Sequence, residues 1–167
     1  MAETPFYLEI NVLSERFYVR RLHENDVDMI YDLSCENKLF YQYHPPFVTK
    51  ESILEDMSAL PSGKSCDDKY YIGFFEDAFL VAVMDLILDY PTEKIAFIGL
   101  FMTNILYQHK GIGSEIIGDV VRHLKSIGYR EIRLGVDRGN PQSYSFWSKN
   151  GFSVTGGKEY ILMGRTL

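Results

Sequence analysis

Tyr107-Gln108-His109-Lys110-Gly111-Ile112-Gly113-Ser114 is the stretch on which the reading of this chain turns. It follows a strand-like run, Ile95 to Thr103, and opens into Ser114 to Ile127, where apolar residues stand at 116, 117, 120, 121, 124 and 127. That spacing marks one face of a helix. A glycine-bearing loop feeding a helix N-terminus presents main-chain N–H groups with no intrahelical acceptor, at the positive end of the helix dipole. Such a place suits an anion. Glycine serves there because a Cβ would keep a phosphate off the amides, and because a tight turn can call for positive φ. Taken alone, a G-x-G before a helix is also a turn shaped for packing. It is no dinucleotide fingerprint, since position 116 is Ile where a third glycine would stand, and no Gly-Lys-Ser/Thr makes it a P-loop.

The 167 residues suffice for one domain, residues 1–167, that buries about two thirds of its unfolded surface without metal or disulfide help. A net charge of −6 and the absence of any dense Lys/Arg run argue against nucleic acid as a partner. Cys35 and Cys66 make no disulfide framework and have no metal-ligand spacing, so no metal is expected. No apolar run approaches a membrane span, and Glu3 and Glu9 stand where a signal peptide would carry positive charge. The expected location is the cytoplasm.

Phe17 to Arg21 reads as a first strand, and Asn25 or Asp26 as the cap of a helix running to about Cys35. Leu39 to Phe47 is too aromatic for an ordinary loop and, with Pro45 and Pro46, too broken for a regular element; it reads as the lining of something. Thr49 heads a second helix that Pro61 and Gly63 end. Tyr70 to Phe75, Phe79 to Leu88 and Lys94 to Thr103 are successive strands joined by short turns, an antiparallel meander. After the glycine loop and its helix, Ile132, Leu134 and Val136 alternate with Arg133, Gly135 and Asp137, and strand–loop–helix–strand implies a parallel crossover. A short helix beginning at Asn140-Pro141 and ended by Gly151 precedes closing strands at Phe152 to Val154 and Tyr160 to Met163.

This order resembles the GNAT family of acyl-CoA-dependent N-acyltransferases. Gln108-His109-Lys110-Gly111-Ile112-Gly113 is similar to the family's Gln/Arg-x-x-Gly-x-Gly/Ala. The run from Asn140 through Ser143 and Trp147 to Gly151-Phe152 resembles its Asn-x-x-Ala/Ser-x-x-x-Tyr-x-x-x-Gly-Phe. The resemblance is strongest over residues 94–152. It implies an α/β (α+β) fold: a mixed, mostly antiparallel sheet of about six to seven strands flanked by about four helices. It implies acetyl-CoA as cofactor, with the amides from Gln108 through His109, Lys110, Gly111, Ile112 and Gly113 to Ser114 around the diphosphate. Phe101, Met102 and Thr103 would hold the pantetheine and orient the acyl carbonyl, with Asn140, Ser143 and Trp147 beside the arm. Asn140 is equally a helix cap.

One position departs from the pattern. The family's usual general acid is a tyrosine where this chain has Trp147, and an indole N–H does not protonate a thiolate at neutral pH. Ser143, one helical turn before it, and Tyr144 are the candidate donors, with water as the remaining choice. A thiol with pKa near 8.5 leaves as thiolate at pH 7 for about 2 kcal/mol, so a weak donor suffices. Deprotonating a lysine-like amine costs about 4 to 5 kcal/mol, an α-amine about 1. The family's histone-type glutamate position holds Phe97, which leaves Asp85, Glu93 and His44 as candidate bases. His109 is expected to face solvent or phosphate. The aromatic segment with Tyr90 is the expected wall of the acceptor site.

The reading is direct transfer of an acetyl group from acetyl-CoA to a primary amine, of a small molecule, peptide or protein, in a ternary complex. The rivals are a non-catalytic acyl-CoA sensor or partner-binding module on the same fold, and a nucleotide or phosphosugar binder. The apolar tail Tyr160-Ile161-Leu162-Met163 offers a surface for a homodimer.

Overall fold

The computed structural model describes residues 6–167, so Glu3 lies outside the described residues. Among the described residues seven strands form one sheet: β1 (Tyr18–Arg21), β2 (Lys69–Glu76), β3 (Phe79–Ile87), β4 (Ile95–Thr103), β5 (Glu131–Asp137), β6 (Ser153–Gly156) and β7 (Tyr160–Thr166). Their order is β1-β2-β3-β4-β5-β7-β6, antiparallel except for β4 and β5. The described residues hold five α-helices: α1 (Val27–Cys35), α2 (Lys38–Tyr43), α3 (Lys50–Ser58), α4 (Ile112–Ser126) and α5 (Pro141–Lys149). The helix beyond expectation is α2, in the aromatic segment. Its prolines lie after it, so Lys38 to Tyr43 close one helical turn and a half before Pro45 stops them.

The sheet has a core on each face, and β2, buried at every position but its last, feeds both. On one face Tyr70, Ile72 and Phe74 join the α4 stripe of Ile116, Ile117, Val120, Val121 and Leu124, with Trp147 of α5. On the other, Tyr71 and Phe75 pack with Ile30, Leu33 and Ile53 of α1 and α3. Each such side chain contributes about 1.5–3 kcal/mol on burial, so the α4 stripe outweighs the four unpaired amides at that helix's start. Gly73 keeps the second face close: a Cβ there would meet Leu80, Phe75 and Leu22 at 2.8 to 2.9 Å.

The feature that positions everything else is a fork. β4 and β5 pair only from Ile95 opposite Glu131 to Ile98 opposite Leu134, although both strands continue. The cause lies on the far side of β4, where the register with β3 slips so that Asp85 faces Leu100 while Leu86 faces Ile98. Gly99 is the extra residue, and a bulge of this kind bends its strand. Beyond it, the β4 edge facing β5 has no strand partner among the described residues.

β7 lies inside the sheet, hydrogen-bonded to β5 on one side and β6 on the other. The Tyr160-to-Met163 tail therefore offers no free strand edge, and what it exposes is the face carrying Tyr160 and Leu162.

Candidate active site

Two clefts open at the fork, of about 340 and 350 Å³. They share Phe40, Phe101, Ser143 and Trp147 as lining. The first runs from the end of β4 to the start of α4. Gln108, His109, Gly111, Ile112, Gly113 and Ser114 line it, as do Phe101, Met102 and Thr103.

The loop is built as a nest. His109 and Gly111 both take left-handed backbone, with φ of 61° and 77°. Successive amides are thereby turned toward one concavity. The N–H of Gln108 is already spent on the Ile105 carbonyl at 3.3 Å, and the helix ladder begins with Glu115 N–H on the Gly111 carbonyl at 3.0 Å. Between them, the N–H groups of residues 109 to 114 have no acceptor among the described residues. The run of amides left without an acceptor is therefore one residue shorter than the stretch from Gln108 to Ser114.

The two glycines act differently. A Cβ on Gly111 would meet nothing within 4 Å, so its bareness leaves open space in front of the amides and allows the positive φ. A Cβ on Gly113 would meet the Phe146 ring at 3.1 Å, so Gly113 lets α5 press against α4.

Gln108 serves through its side chain. Its Nε2 donates to Asn37 Oδ1 at 2.7 Å and to the Thr103 carbonyl at 3.0 Å. Asn37 in turn donates to the Leu33 carbonyl at 2.9 Å and to the same Thr103 carbonyl at 3.1 Å. The end of α1, the end of β4 and the loop are thus tied at one point. Sequence reading missed Asn37; the signal was a lone amide between two helices, which composition cannot tell from a turn residue.

Other expected residues fall elsewhere. Asn140 is buried, its Oδ1 accepts from Ser143 N–H at 3.2 Å as the cap of α5, and it lines neither cleft. Lys110 is exposed and lines neither. Tyr144 is 43% exposed on the outer face of α5, away from both clefts, because Ser143 and Trp147 take the inner face at helical spacing. Trp147 is a core residue, its ring 6.0 Å from Phe101, 4.9 Å from Phe146 and 5.0 Å from Phe152. Of the residues not foreseen, Gln142, Ser145 and Lys149 also line the first cleft.

The second cleft lies beyond the fork, between the aromatic segment and β4, β5 and β7. Phe40, Tyr41, Tyr71, Phe97 and Tyr160 wall it, Asp56, Asp85 and Asp137 bring carboxyl groups to it, and His44 lines it as well. Tyr90 packs edge-on against Phe97 at 5.4 Å without reaching the cleft, and Glu93 is exposed and outside it. Asp85 stands over the Gly99 bulge, where a Cβ would come within 3.0 Å of its Oδ2. That oxygen accepts from Lys69 Nζ at 3.0 Å, and Lys69 also donates to the Ala59 carbonyl at 2.7 Å. Asp85 Oδ1 is buried with no donor among the described residues. Burial pushes the Asp85 carboxyl above the usual carboxylate range, and the neighbouring Lys69 ammonium opposes it only in part. Burial likewise holds the Tyr71 phenol protonated, which removes it as a base.

Residues 27–152 match the model of the acetyltransferase (GNAT) family. The chain belongs to that family, whose co-substrate is acetyl-CoA. It is 30% identical over 116 residues to spermidine N(1)-acetyltransferase of Thermoplasma acidophilum, covering 68% of each chain. It is 28% identical over 155 residues to ribosomal-protein-serine acetyltransferase of Escherichia coli, covering 86% of this chain and 83% of that one. Its fold superposes on the crystal structure of the PaiA N-acetyltransferase of T. acidophilum in complex with coenzyme A, with TM-score 0.69 and 23% identity over 90% of this chain and 99% of that one. No described helix is long and apolar enough to cross a membrane, and no three described His, Cys, Asp or Glu residues group as a metal site.

The first cleft fits coenzyme A on its own evidence. Six consecutive amides lacking acceptors, open space where Gly111 has no side chain, and an unpaired strand edge leading away from them suit a diphosphate followed by an amide-bearing arm.

Proposed function

We propose that this chain transfers the acetyl group of acetyl-CoA to a primary amine of a small cationic alkylamine bound in the second cleft. The carrying observation is the orphan Asp85 Oδ1: a buried carboxylate oxygen lining a cleft and lacking a donor is satisfied by an arriving ammonium. Three carboxylates and aromatic walls favour a cation there, and a cleft of about 350 Å³ suits a slender one. Of the two relatives, the spermidine enzyme fits this picture better than the ribosomal-protein enzyme.

The amides of residues 109 to 114 hold the diphosphate, each bond to a charged oxygen contributing about 1.5–3 kcal/mol. The β4 edge from Gly99 to Thr103 receives the arm and orients the thioester at the fork. Asp85 draws the amine toward it, and proximity supplies much of the rate. Ser143, which lines both clefts, donates its hydroxyl hydrogen bond to the departing sulfur. Trp147 excludes water without taking part in proton transfer.

Thiol release from acetyl-CoA, measured with n-butylamine, 1,4-diaminobutane, spermidine and a peptide α-amine, tests this. Amine-dependent release with the acetylated amine identified by mass spectrometry is expected, with alkylamines preferred to the peptide. Tight binding of acetyl-CoA without amine-dependent release would instead make the protein a sensor.

A further inference from the structure

The aromatic segment also supplies one half of a side-chain pair that spans the second cleft. His44, at the end of α2, places Nδ1 at 2.9 and 3.1 Å from the two carboxylate oxygens of Asp137, at the end of β5. Two elements on opposite sides of the fork are joined there, and both residues line the second cleft. The ring lies 5.2 Å from that of Phe40 and 6.4 Å from that of Tyr160, centroid to centroid. The carboxylate can only accept, so Nδ1 must donate. In the neutral ring this leaves Nε2 as a bare lone pair, and no described group donates to it.

We infer that His44 Nε2 takes the proton from the attacking amine, and that Asp137 is a positioning residue that fixes the ring and its tautomer. This rests on the acetyl-transfer reading above. The other groups facing the cleft are poorly suited. Asp85 is half engaged by Lys69 and is assigned to the ammonium, Tyr71 stays protonated, and Asp56 makes no hydrogen bond among the described residues that would orient its carboxylate as Asp137 orients the His44 ring.

The step balances without a further reactant. An acceptor arriving as ammonium first sheds one proton to water. Its nitrogen lone pair then forms the C–N bond at the thioester carbon while the carbonyl π pair moves onto oxygen, and the surplus N–H proton passes to Nε2. The oxygen pair re-forms the carbonyl as the C–S pair leaves with sulfur. The thiolate takes the proton back by way of Ser143 or solvent, giving amide, free thiol and neutral imidazole.

The test is steady-state thiol release by the full chain with acetyl-CoA and spermidine. His44→Ala should lower kcat by roughly a hundredfold or more, the usual scale of a positioned base, while KM for acetyl-CoA stays within about twofold. Added imidazole should restore turnover to that variant in proportion to its concentration and leave the wild type unchanged. Wild-type ¹⁵N spectra should show the His44 proton on Nδ1, and Asp137→Asn should move it to Nε2 with loss of kcat. Undiminished kcat in His44→Ala, or lost turnover that imidazole does not restore in a folded variant, would overturn the assignment. If that variant fails to fold, a wild-type proton on Nε2 would overturn it alone. A wild type with no amine-dependent release overturns the functional reading and this inference together, whereas normal wild-type turnover with an unaffected variant overturns only this one.

Discussion

Replacing Gly111 by Glu separates what the nest does for the fold from what it does for the ligand. The position has φ of 77°, and a left-handed conformation costs an L-residue about 1–2 kcal/mol. That strain is present with and without ligand, so it lowers thermal stability and leaves affinity alone. A Cβ there meets nothing within 4 Å, so no clash adds to it. Affinity responds instead to a carboxylate set in the space before six donor amides. At a separation on the order of 5 Å and an effective dielectric between about 20 and 80, one pair of charges repels by about 1 to 3 kcal/mol, roughly 5- to 150-fold in Kd. Gly111→Gln has nearly the same bulk and strain without the charge, so the Glu-to-Gln ratio isolates that repulsion, and the ratio should shrink as salt is raised. Calorimetric titration with coenzyme A measures it. The control is S-acetyl-N-acetylcysteamine, an acyl donor without a diphosphate, for which all three proteins should show equal kcat/KM. Equal affinity of the Glu and Gln variants for coenzyme A, or an equal loss with the truncated donor, would refute the placement of the diphosphate.

Asn37→Ala removes the joint between α1, β4 and the loop; we expect a loss of about 1–3 kcal/mol in stability and a several-fold rise in KM for acetyl-CoA, read by denaturant titration and initial rates. Gly113→Ala forces a methyl to 3.1 Å from Phe146 and should cost about 1–3 kcal/mol by thermal melt, largely recovered in the double variant with Phe146→Leu. Lys69→Met strips Asp85 of its cation and raises its carboxyl further. A folded-state pKa above the unfolded one favours folding below the unfolded value and loses that contribution as pH rises through the folded one. The variant's deficit, about 3–5 kcal/mol where Asp85 is ionised, should therefore be largest at the alkaline end of a pH series and shrink as pH falls, in denaturant titrations.

Much of this protein was legible in its residues. The meander from Tyr70 to Thr103, the α4 stripe and the alternation at Ile132 to Val136 are local patterns, set by side-chain period and turn length, and the structure keeps each. The glycine loop was legible for the same reason, because its chemistry is main-chain chemistry within eight successive residues. Tertiary structure decided whatever depended on two distant segments meeting. The slip of β3 against β4 at Gly99 opens the fork, and no reading of either strand alone contains a register. Asp85 could be named from sequence, but its orphan oxygen could not, since that depends on where Lys69 spends its ammonium. Asn37 with Gln108 and His44 with Asp137 are 71 and 93 residues apart in the chain. Nothing local brings them together; the burial of two hydrophobic faces on one sheet does.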